Sequence, residues 1–122
     1  MNAQFIILTV RDPLASADFY ERLLGRAAID RASTFSLFAL NEATKLGLWS
    51  SQTIKPAATG APGIAELTFV LPDRAAVDAC HADWQEKGIP ILQAPEQADF
   101  GYTLCGADPD GHRLRAFVPN AG

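Results

Sequence analysis

The side chains best suited to chemistry in this 122-residue chain are two histidines and two cysteines. His81 falls in a predicted helix beside Asp83, and His112 follows the turn sequence "DPDG", so we interpret the first as solvated and the second as structural. Cys105 falls on a predicted strand, where nothing nearby in the sequence would lower its pKa as a reactive thiol requires. No Ser-His-Asp spacing and no glycine-rich phosphate loop accompany these residues. The sequence therefore predicts no catalytic residues.

The stretch "TKLGLWSS" alternates like a strand and points instead to a binding surface. Gly47 and Trp49 share one face of this strand, and Leu46 and Leu48 share the other. Glycine inside a strand is costly unless something approaches closely. Gly47 would leave room for a flat molecule and Trp49 would supply a stacking surface. The alternative is that Trp49 belongs to the core.

Alternation on other strands predicts which side chains share this surface. Phe5 faces it from the first strand, Glu66 and Thr68 from "ELTFVLP", and Arg115 and Phe117 from the last strand. Arg115 could bind a ligand carboxylate through its forked guanidinium, and Glu66 could accept a hydrogen bond from a ligand amine or ring N–H. Alternatively, Glu66 and Arg115 pair with each other, which requires no ligand.

Three further aromatic residues are candidates for ligand contact. The third strand could turn either Ser36 and Phe38 or the intervening residues toward the surface, and Phe38 is therefore included. Phe100 and Tyr102 flank Gly101 where a loop enters a strand, and we expect them at the rim of the cavity.

Composition limits the classes of function. The formal net charge of −4 argues against a nucleic-acid partner. No apolar run is long enough to span a bilayer, and the start of the chain lacks the basic region of a signal peptide. Cys80 and Cys105 lack metal-like spacing and are interpreted as free thiols in a reducing cytoplasm.

The two halves of the chain resemble each other. The first opens with "FIILTV" and "LASADFYERLLG", and the second with "ELTFVLP" and "RAAVDACHADWQEKG". Each reads as a strand, an aspartate N-cap (Asp12 or Asp73), a helix and a terminal glycine (Gly25 or Gly88). A short strand should follow each helix, near residues 27–31 and 89–93.

The repeat then continues with two strands joined by a turn, "FSLFALNEATKLGLW" in one half and "YTLCGADPDGHRLRAF" in the other. The prediction is an α+β fold of one domain. It consists of a βαβββ module at 1–54, a linker at 55–63 and a second βαβββ module at 64–122, which form a curled mixed sheet with a concave surface.

In these features the chain resembles the vicinal-oxygen-chelate superfamily of glyoxalases, extradiol dioxygenases and bleomycin-resistance proteins. The segments that carry the resemblance are "VRDPLASADFYERLLG" and "DPDGHRLRAF". The segments "LGLWSS" and "AELTFVLP" look most like the phenazine-antibiotic resistance subgroup, which binds drugs without converting them. The resemblance implies the glyoxalase/bleomycin-resistance fold and a homodimer, expected to be domain-swapped, with each cavity built from halves of two chains.

Enzymes of this superfamily place one metal ligand, usually His or Glu, on each of four strands. The resemblance puts those positions at Phe5, Gly47, Glu66 and Arg115. Phenylalanine and glycine offer no donor atom, and arginine is a permanent cation. Glu66 alone cannot hold a divalent ion, since catalytic sites use about three protein ligands. We therefore expect neither a metal nor another cofactor.

These features favour a non-catalytic protein that sequesters a planar aromatic molecule, phenazine-like or another aromatic antibiotic, and so confers resistance. The alternative within the same superfamily is a metal-dependent lyase or dioxygenase. A third possibility is a structural or regulatory module whose cavity is filled by its own side chains.

Overall fold

A computed structural model, which describes residues 1–121, divides the chain into two compact units, Met1–Ile64 and Ala65–Gly122. Each unit holds one helix and a four-stranded mixed sheet, and neither sheet closes into a barrel. The predicted α+β class and the βαβββ repeat are confirmed.

The first unit contains five elements in the predicted order. They are β1 (Phe5–Val10), α1 (Pro13–Leu24), β2 (Asp30–Arg31), β3 (Phe35–Ala39) and β4 (Lys45–Ser50). The strands lie in the order β1-β4-β3-β2, in which β1 and β4 are parallel and the other neighbours antiparallel.

The second unit repeats this topology. Its elements are β5 (Glu66–Val70), α2 (Arg74–Glu86), β6 (Ile91–Gln97), β7 (Gly101–Ala107) and β8 (Arg113–Pro119). The strands lie in the order β5-β8-β7-β6, with β5 and β8 parallel. The "DPDG" turn joins β7 to β8 as an antiparallel hairpin, as predicted.

Both helices begin and end where their capping residues predict. The Asp12 carboxylate accepts hydrogen bonds from the backbone N–H groups of the first turn of α1, and Asp73 does the same for α2. These bonds satisfy donors that have no partner within the helix. Gly25 and Gly88 follow the helices with φ of 68° and 74°, a left-handed conformation that glycine adopts without steric cost.

The short strands differ from the sequence prediction. Strand β2 begins only at Asp30 because the N–H of Ala28 donates to a carboxylate oxygen of Glu21 rather than to a neighbouring strand. Strand β6 runs to Gln97, beyond the predicted end, and its pairing with β7 shifts register twice. Pro95 lies within the second shift, and its lack of an N–H group is incompatible with a regular ladder.

Each sheet buries one face against its own helix. In the first unit Tyr20 and Phe38 are fully buried, and in the second Val77, Trp84 and Leu104 are buried. Trp84 lies beneath Gly106 of β7, where a Cβ atom would come within 3.2 Å of its indole ring. Since side chains alternate along a strand, the neighbouring residues of β7 point to the opposite face. None of the helices in residues 1–121 is long and apolar enough to cross a membrane.

Gly101 begins β7 at a point where the backbone of β8 approaches closely. A Cβ atom there would collide with the carbonyl oxygen of Val118 and lie 2.9 Å from the Cα atom of Pro119. We predict that Gly101→Ala lowers the free energy of unfolding by about 1 to 3 kcal/mol, measured by urea denaturation, because the rigid backbone must move. Gly60→Ala is the control, since no atom lies within 4 Å of its added methyl group. Equal stability of the two variants would contradict the prediction.

Candidate functional site

A cavity of about 820 Å³ opens on the second sheet, and all the residues that line it belong to the second unit. Strand pairing brings the polar residues of the cavity together. Thr68 of β5 pairs with Arg115 of β8, and Cys105 of β7 pairs with Arg115 from the other side. Glu66 lies two residues before Thr68 and therefore on the same face. The predicted common face of Glu66, Thr68 and Arg115 is present.

Arg115 is the centre of the site. Its Nε donates to Glu66 Oε2 at 3.1 Å, and its Nη2 to Glu66 Oε1 at 3.4 Å. Its Nη1 donates to Gln93 Oε1 and to Thr103 Oγ1, both at 3.1 Å. Four of the five N–H groups of the guanidinium are thus engaged. Its side chain is only 17% exposed, so Glu66 compensates a charge that is largely removed from water.

The network extends beyond this pair. The hydroxyl of Thr68 donates to Glu66 Oε2 at 2.8 Å, and Gln93 Nε2 donates to Glu96 Oε1 at 2.7 Å. The linked side chains come from β5, β8, β7 and β6, so hydrogen bonds cross the whole sheet. Connected polar networks of this kind hold their members in one arrangement.

Glu66 is kept ionised by its surroundings. Burial by itself raises the pKa of this carboxyl group, but the hydrogen bonds from Arg115 and Thr68 and the charges of Arg115 and Arg113 outweigh it. The net effect is a pKa below the ordinary value of 4.5. Glu66 is therefore a hydrogen-bond acceptor at neutral pH and a weak base.

An aromatic pair lies beside the polar network. The rings of Phe100 and Phe117 meet edge to face, with centroids 5.4 Å apart and an interplanar angle of 77°. The guanidinium carbon of Arg115 lies 5.9 Å from the Phe100 centroid. Asn120 fixes this segment, because its backbone N–H donates to the carbonyl of Phe100 and its side chain donates to that of Asp99. Phe100 remains 46% exposed and available to a ligand.

Gly47 and Trp49 lie on the open face of the first sheet, where strand pairing sets Ile7 beside Gly47. The space above Gly47 is filled from within the unit: a Cβ atom there would lie 2.6 Å from Ile7 Cδ1 and 2.7 Å from Phe35 Cζ. Trp49 is half-buried and meets Phe35 edge to face at 5.9 Å. Phe5 is 52% exposed on the same strand as Ile7. Ligand contact by Phe5, Gly47 and Trp49 stays a prediction.

The structure contradicts the expectation that Phe38 faces a ligand. Phe38 is fully buried and pairs with Leu46, with its ring 6.3 Å from that of Tyr20 in α1. Phe35 instead shares the open face with Gly47. Ser36 accompanies Phe38 on the buried face, and its hydroxyl donates to the carbonyl of Pro13 in α1 at 3.1 Å, so contacts with the helix decide which face of β3 is buried.

The structure also contradicts the expectation that Tyr102 lies at the rim of the same cavity as Phe100. Its hydroxyl donates to Asp78 of α2 at 2.6 Å, and the Arg74 guanidinium lies 3.8 Å from its ring centroid. Tyr102 lines a separate cavity of about 600 Å³, whereas the next residue, Thr103, faces Arg115. The contacts with α2 decide the direction of its side chain.

Sequence reasoning missed Gln93, Thr103 and Glu96. Thr103 could have been found by counting back from the "DPDG" hairpin, since it pairs with Phe117 on the face of Arg115. No such signal exists for Gln93 and Glu96, because the register shifts of β6 interrupt its alternation.

The donor set does not suit a metal ion. Of the four positions that the resemblance described above equates with metal ligands, only Glu66 carries a suitable donor, and each of its oxygens already accepts a hydrogen bond from the Arg115 cation. Within residues 1–121, no group of three His, Cys, Asp or Glu side chains could hold a metal. His112 is buried, and its Nδ1 accepts a hydrogen bond from the Ala65 N–H at 3.1 Å.

Both thiols are free, and both are held in the unreactive form. Burial is the main cause that raises the pKa of Cys105, which lies beside Arg115 in the cavity. Burial also raises the pKa of Cys80, to about 11. The thiolate is the nucleophilic form of cysteine, so neither residue is activated for attack at neutral pH.

The sequence model of the Glyoxalase/Bleomycin resistance protein/Dioxygenase superfamily matches residues 3–116 of this chain. The chain belongs to this superfamily. A comparison with curated proteins gives no match.

Solved structures agree with this assignment. A protein of Agrobacterium tumefaciens, solved by NMR, is 43% identical over 99% of both chains, with a TM-score of 0.87. A glyoxalase/bleomycin resistance protein/dioxygenase from Nocardioides is 22% identical, with a TM-score of 0.87 over 100% of this chain and 85% of that one. A lactoylglutathione lyase from Agrobacterium tumefaciens is 20% identical, with a TM-score of 0.79 over 96% and 92%. The last two establish similarity of fold alone.

The Glu66–Arg115 ion pair predicts that the wild-type protein is more stable than a Glu66→Gln variant by an amount that depends on pH. Glu66→Gln should lower the free energy of unfolding by about 1 kcal/mol at pH 7, a modest value because solvent screens a carboxylate that is 34% exposed. The folded-state pKa of Glu66 lies below 4.5, so the wild-type advantage is complete above pH 4.5 and is lost as the pH falls through the folded-state value. Urea denaturation of both proteins at pH 7 and pH 3 measures the difference in their free energies of unfolding. A stability difference equal at both pH values would exclude this role.

Proposed function

We propose that the protein binds and sequesters a planar aromatic small molecule, phenazine-like or another aromatic antibiotic, in the cavity of the second unit without converting it. The observation that carries the proposal is the edge-to-face pair of Phe100 and Phe117 beside the Glu66–Arg115 ion pair. An apolar aromatic wall next to a few fixed polar groups is the usual composition of a small-molecule site.

The dimensions of the cavity support this proposal. Its volume of about 820 Å³ lies within the range of drug-sized sites, which is roughly 300 to 1,000 Å³. The exposed Phe100 ring can stack on a flat ligand, and aromatic pairs of this kind contribute about 0.5 to 1.5 kcal/mol beyond the apolar area they bury. The resemblance to the phenazine-resistance subgroup points to the same ligand class.

The state of the polar side chains favours binding over turnover. A general base works best when its pKa lies near the working pH, whereas the pKa of Glu66 is lowered. The thiol of Cys105 is protonated, since burial raises its pKa. Protection of the cell would then be stoichiometric, with one ligand held for each site.

A direct test is titration of the purified protein with phenazine, followed by tryptophan fluorescence corrected for ligand absorbance and by calorimetry. We predict saturable binding that Phe100→Ala weakens about tenfold, which corresponds to the loss of one stacking contact. Ile29→Ala is the matched control, because Ile29 is 50% exposed and lies outside the cavity. Trp49→Ala tests the first sheet: loss of quenching with loss of binding heat would make Trp49 a ligand platform.

Two results would contradict sequestration. The first is an absence of saturable binding when phenazine and a series of other flat aromatic antibiotics are titrated in the same way. The second is a divalent metal ion at one equivalent per chain in elemental analysis of the protein as purified, because it would favour a metal-dependent lyase or dioxygenase instead.

We also expect a homodimer, as the resemblance to the superfamily implies, with two equal sites related by symmetry. Light scattering on the eluate of a sizing column should give a mass about twice the 13.1 kDa of one chain. A stable monomer at micromolar concentration would contradict this expectation.

A further inference from the structure

The ion pair also limits the charge of the ligand. Resting on the proposed function, we infer that the cavity accepts uncharged planar aromatics that carry an N–H donor and discriminates against the corresponding carboxylates, with Glu66 as the specificity-determining residue. The hydrogen bonds and charges around Arg115 and Glu66 lead to this inference.

Arg115 has little capacity left for an incoming carboxylate. Binding of a carboxylate in fork geometry requires two N–H groups on one edge of the guanidinium. The edge formed by Nε and Nη2 is occupied by Glu66, and both hydrogens of Nη1 are taken by Gln93 and Thr103. Only one Nη2 hydrogen is left over. A ligand carboxylate must therefore displace Glu66 and leave that carboxylate without its partner, which is costly in a partly buried site.

The charges around the cavity do not compensate this loss. Glu66 and Glu96 contribute two negative charges, and Arg113 and Arg115 contribute two positive charges, so the formal sum over these four lining residues is zero. Arg113 is exposed, and a contact between its solvated guanidinium and a ligand anion contributes little. An anionic ligand thus gains no net attraction from the lining.

An uncharged aromatic with an N–H donor can bind without displacing Glu66 from Arg115. Glu66 Oε2 already accepts from Arg115 and Thr68, whereas Oε1 accepts only the longer, 3.4 Å bond from Arg115. Oε1 is therefore the acceptor with capacity to spare, and a ligand carboxamide or amine can donate to it. A guanidinium whose N–H groups are engaged can still contact rings through its flat face, as Arg115 does with Phe100.

The test compares phenazine-2-carboxamide with phenazine-2-carboxylate at pH 8, where the acid is ionised. These probes have nearly the same shape and differ in charge and in the N–H donor. We expect calorimetry on the wild-type protein to give a dissociation constant about tenfold lower for the carboxamide, the effect of one lost hydrogen bond and one displaced ion pair.

Glu66→Gln should abolish this preference. Glutamine retains an oxygen that can accept from Arg115 but releases the positive charge to the ligand, so the carboxylate should gain about tenfold in affinity. Glu96→Gln is the matched variant, because it removes the same charge from the same cavity and leaves the Glu66–Arg115 pair in place. For Glu96→Gln, the ratio of the dissociation constants of the carboxylate and the carboxamide should differ from the wild-type ratio by less than about threefold, as expected for a charge that does not contact Arg115.

The outcomes separate this inference from the proposed function. Tighter binding of the carboxylate to the wild-type protein would overturn the charge preference while sequestration stands. An unchanged ratio in a folded Glu66→Gln protein would overturn the role of Glu66. Absence of binding by either compound would overturn the proposed function itself. The wild-type ratio remains decisive even if the Glu66→Gln protein does not fold.

Discussion

The Glu66–Arg115 ion pair is the interaction on which the open face of the second sheet depends. Arg115 is 17% exposed, and a charge so far removed from water is costly unless a partner compensates it. Parallel pairing of β5 with β8 supplies that partner from the neighbouring strand. Gln93 and Thr103 then accept the Nη1 hydrogens, so that one arginine joins side chains of all four strands. The floor of the cavity is consequently fixed before any ligand arrives.

The two units use the same sheet topology for different surfaces. In the second unit, Thr68 lies beside Arg115 on the parallel strands β5 and β8, and in the first unit Ile7 lies beside Gly47 on the corresponding parallel strands β1 and β4. The side chain of Arg115 thus extends across the second sheet, whereas on the first sheet Ile7 and Phe35 fill the space over Gly47. Close packing within its own unit accounts for Gly47, since a near approach of other atoms is one reason for glycine inside a strand. Internal repetition has preserved the backbone and left the chemistry of each face free to differ.

Sequence reasoning succeeded where the period of a strand decides the outcome. The repeat, the capping aspartates and the common face of Glu66, Thr68, Arg115 and Phe117 all follow from spacing. It failed for Phe38, because alternation defines two faces of a strand without saying which one packs against a helix, and the contact with Tyr20 decides that. It failed for Tyr102, because a position at a strand entry does not define the direction of a side chain, and the hydrogen bond to Asp78 of α2 decides that. It could not find Gln93 either, since two register shifts in β6 break the period on which such reasoning depends.

Recognition and catalysis make opposite demands on a carboxylate. A base or a metal ligand needs a free lone pair and, for proton transfer, a pKa near the working pH. Glu66 accepts three hydrogen bonds, which leave capacity on Oε1 alone, and its pKa is lowered, since the contacts that let Arg115 lie in the sheet also stabilise the ionised carboxylate. The same contacts restrict what a ligand can offer: with the N–H groups of Arg115 engaged, flat stacking and a donor toward Glu66 are the interactions left. On the function proposed for this protein, an ion pair required by burial would thereby favour binding over turnover and set the charge of the ligand that the cavity accepts.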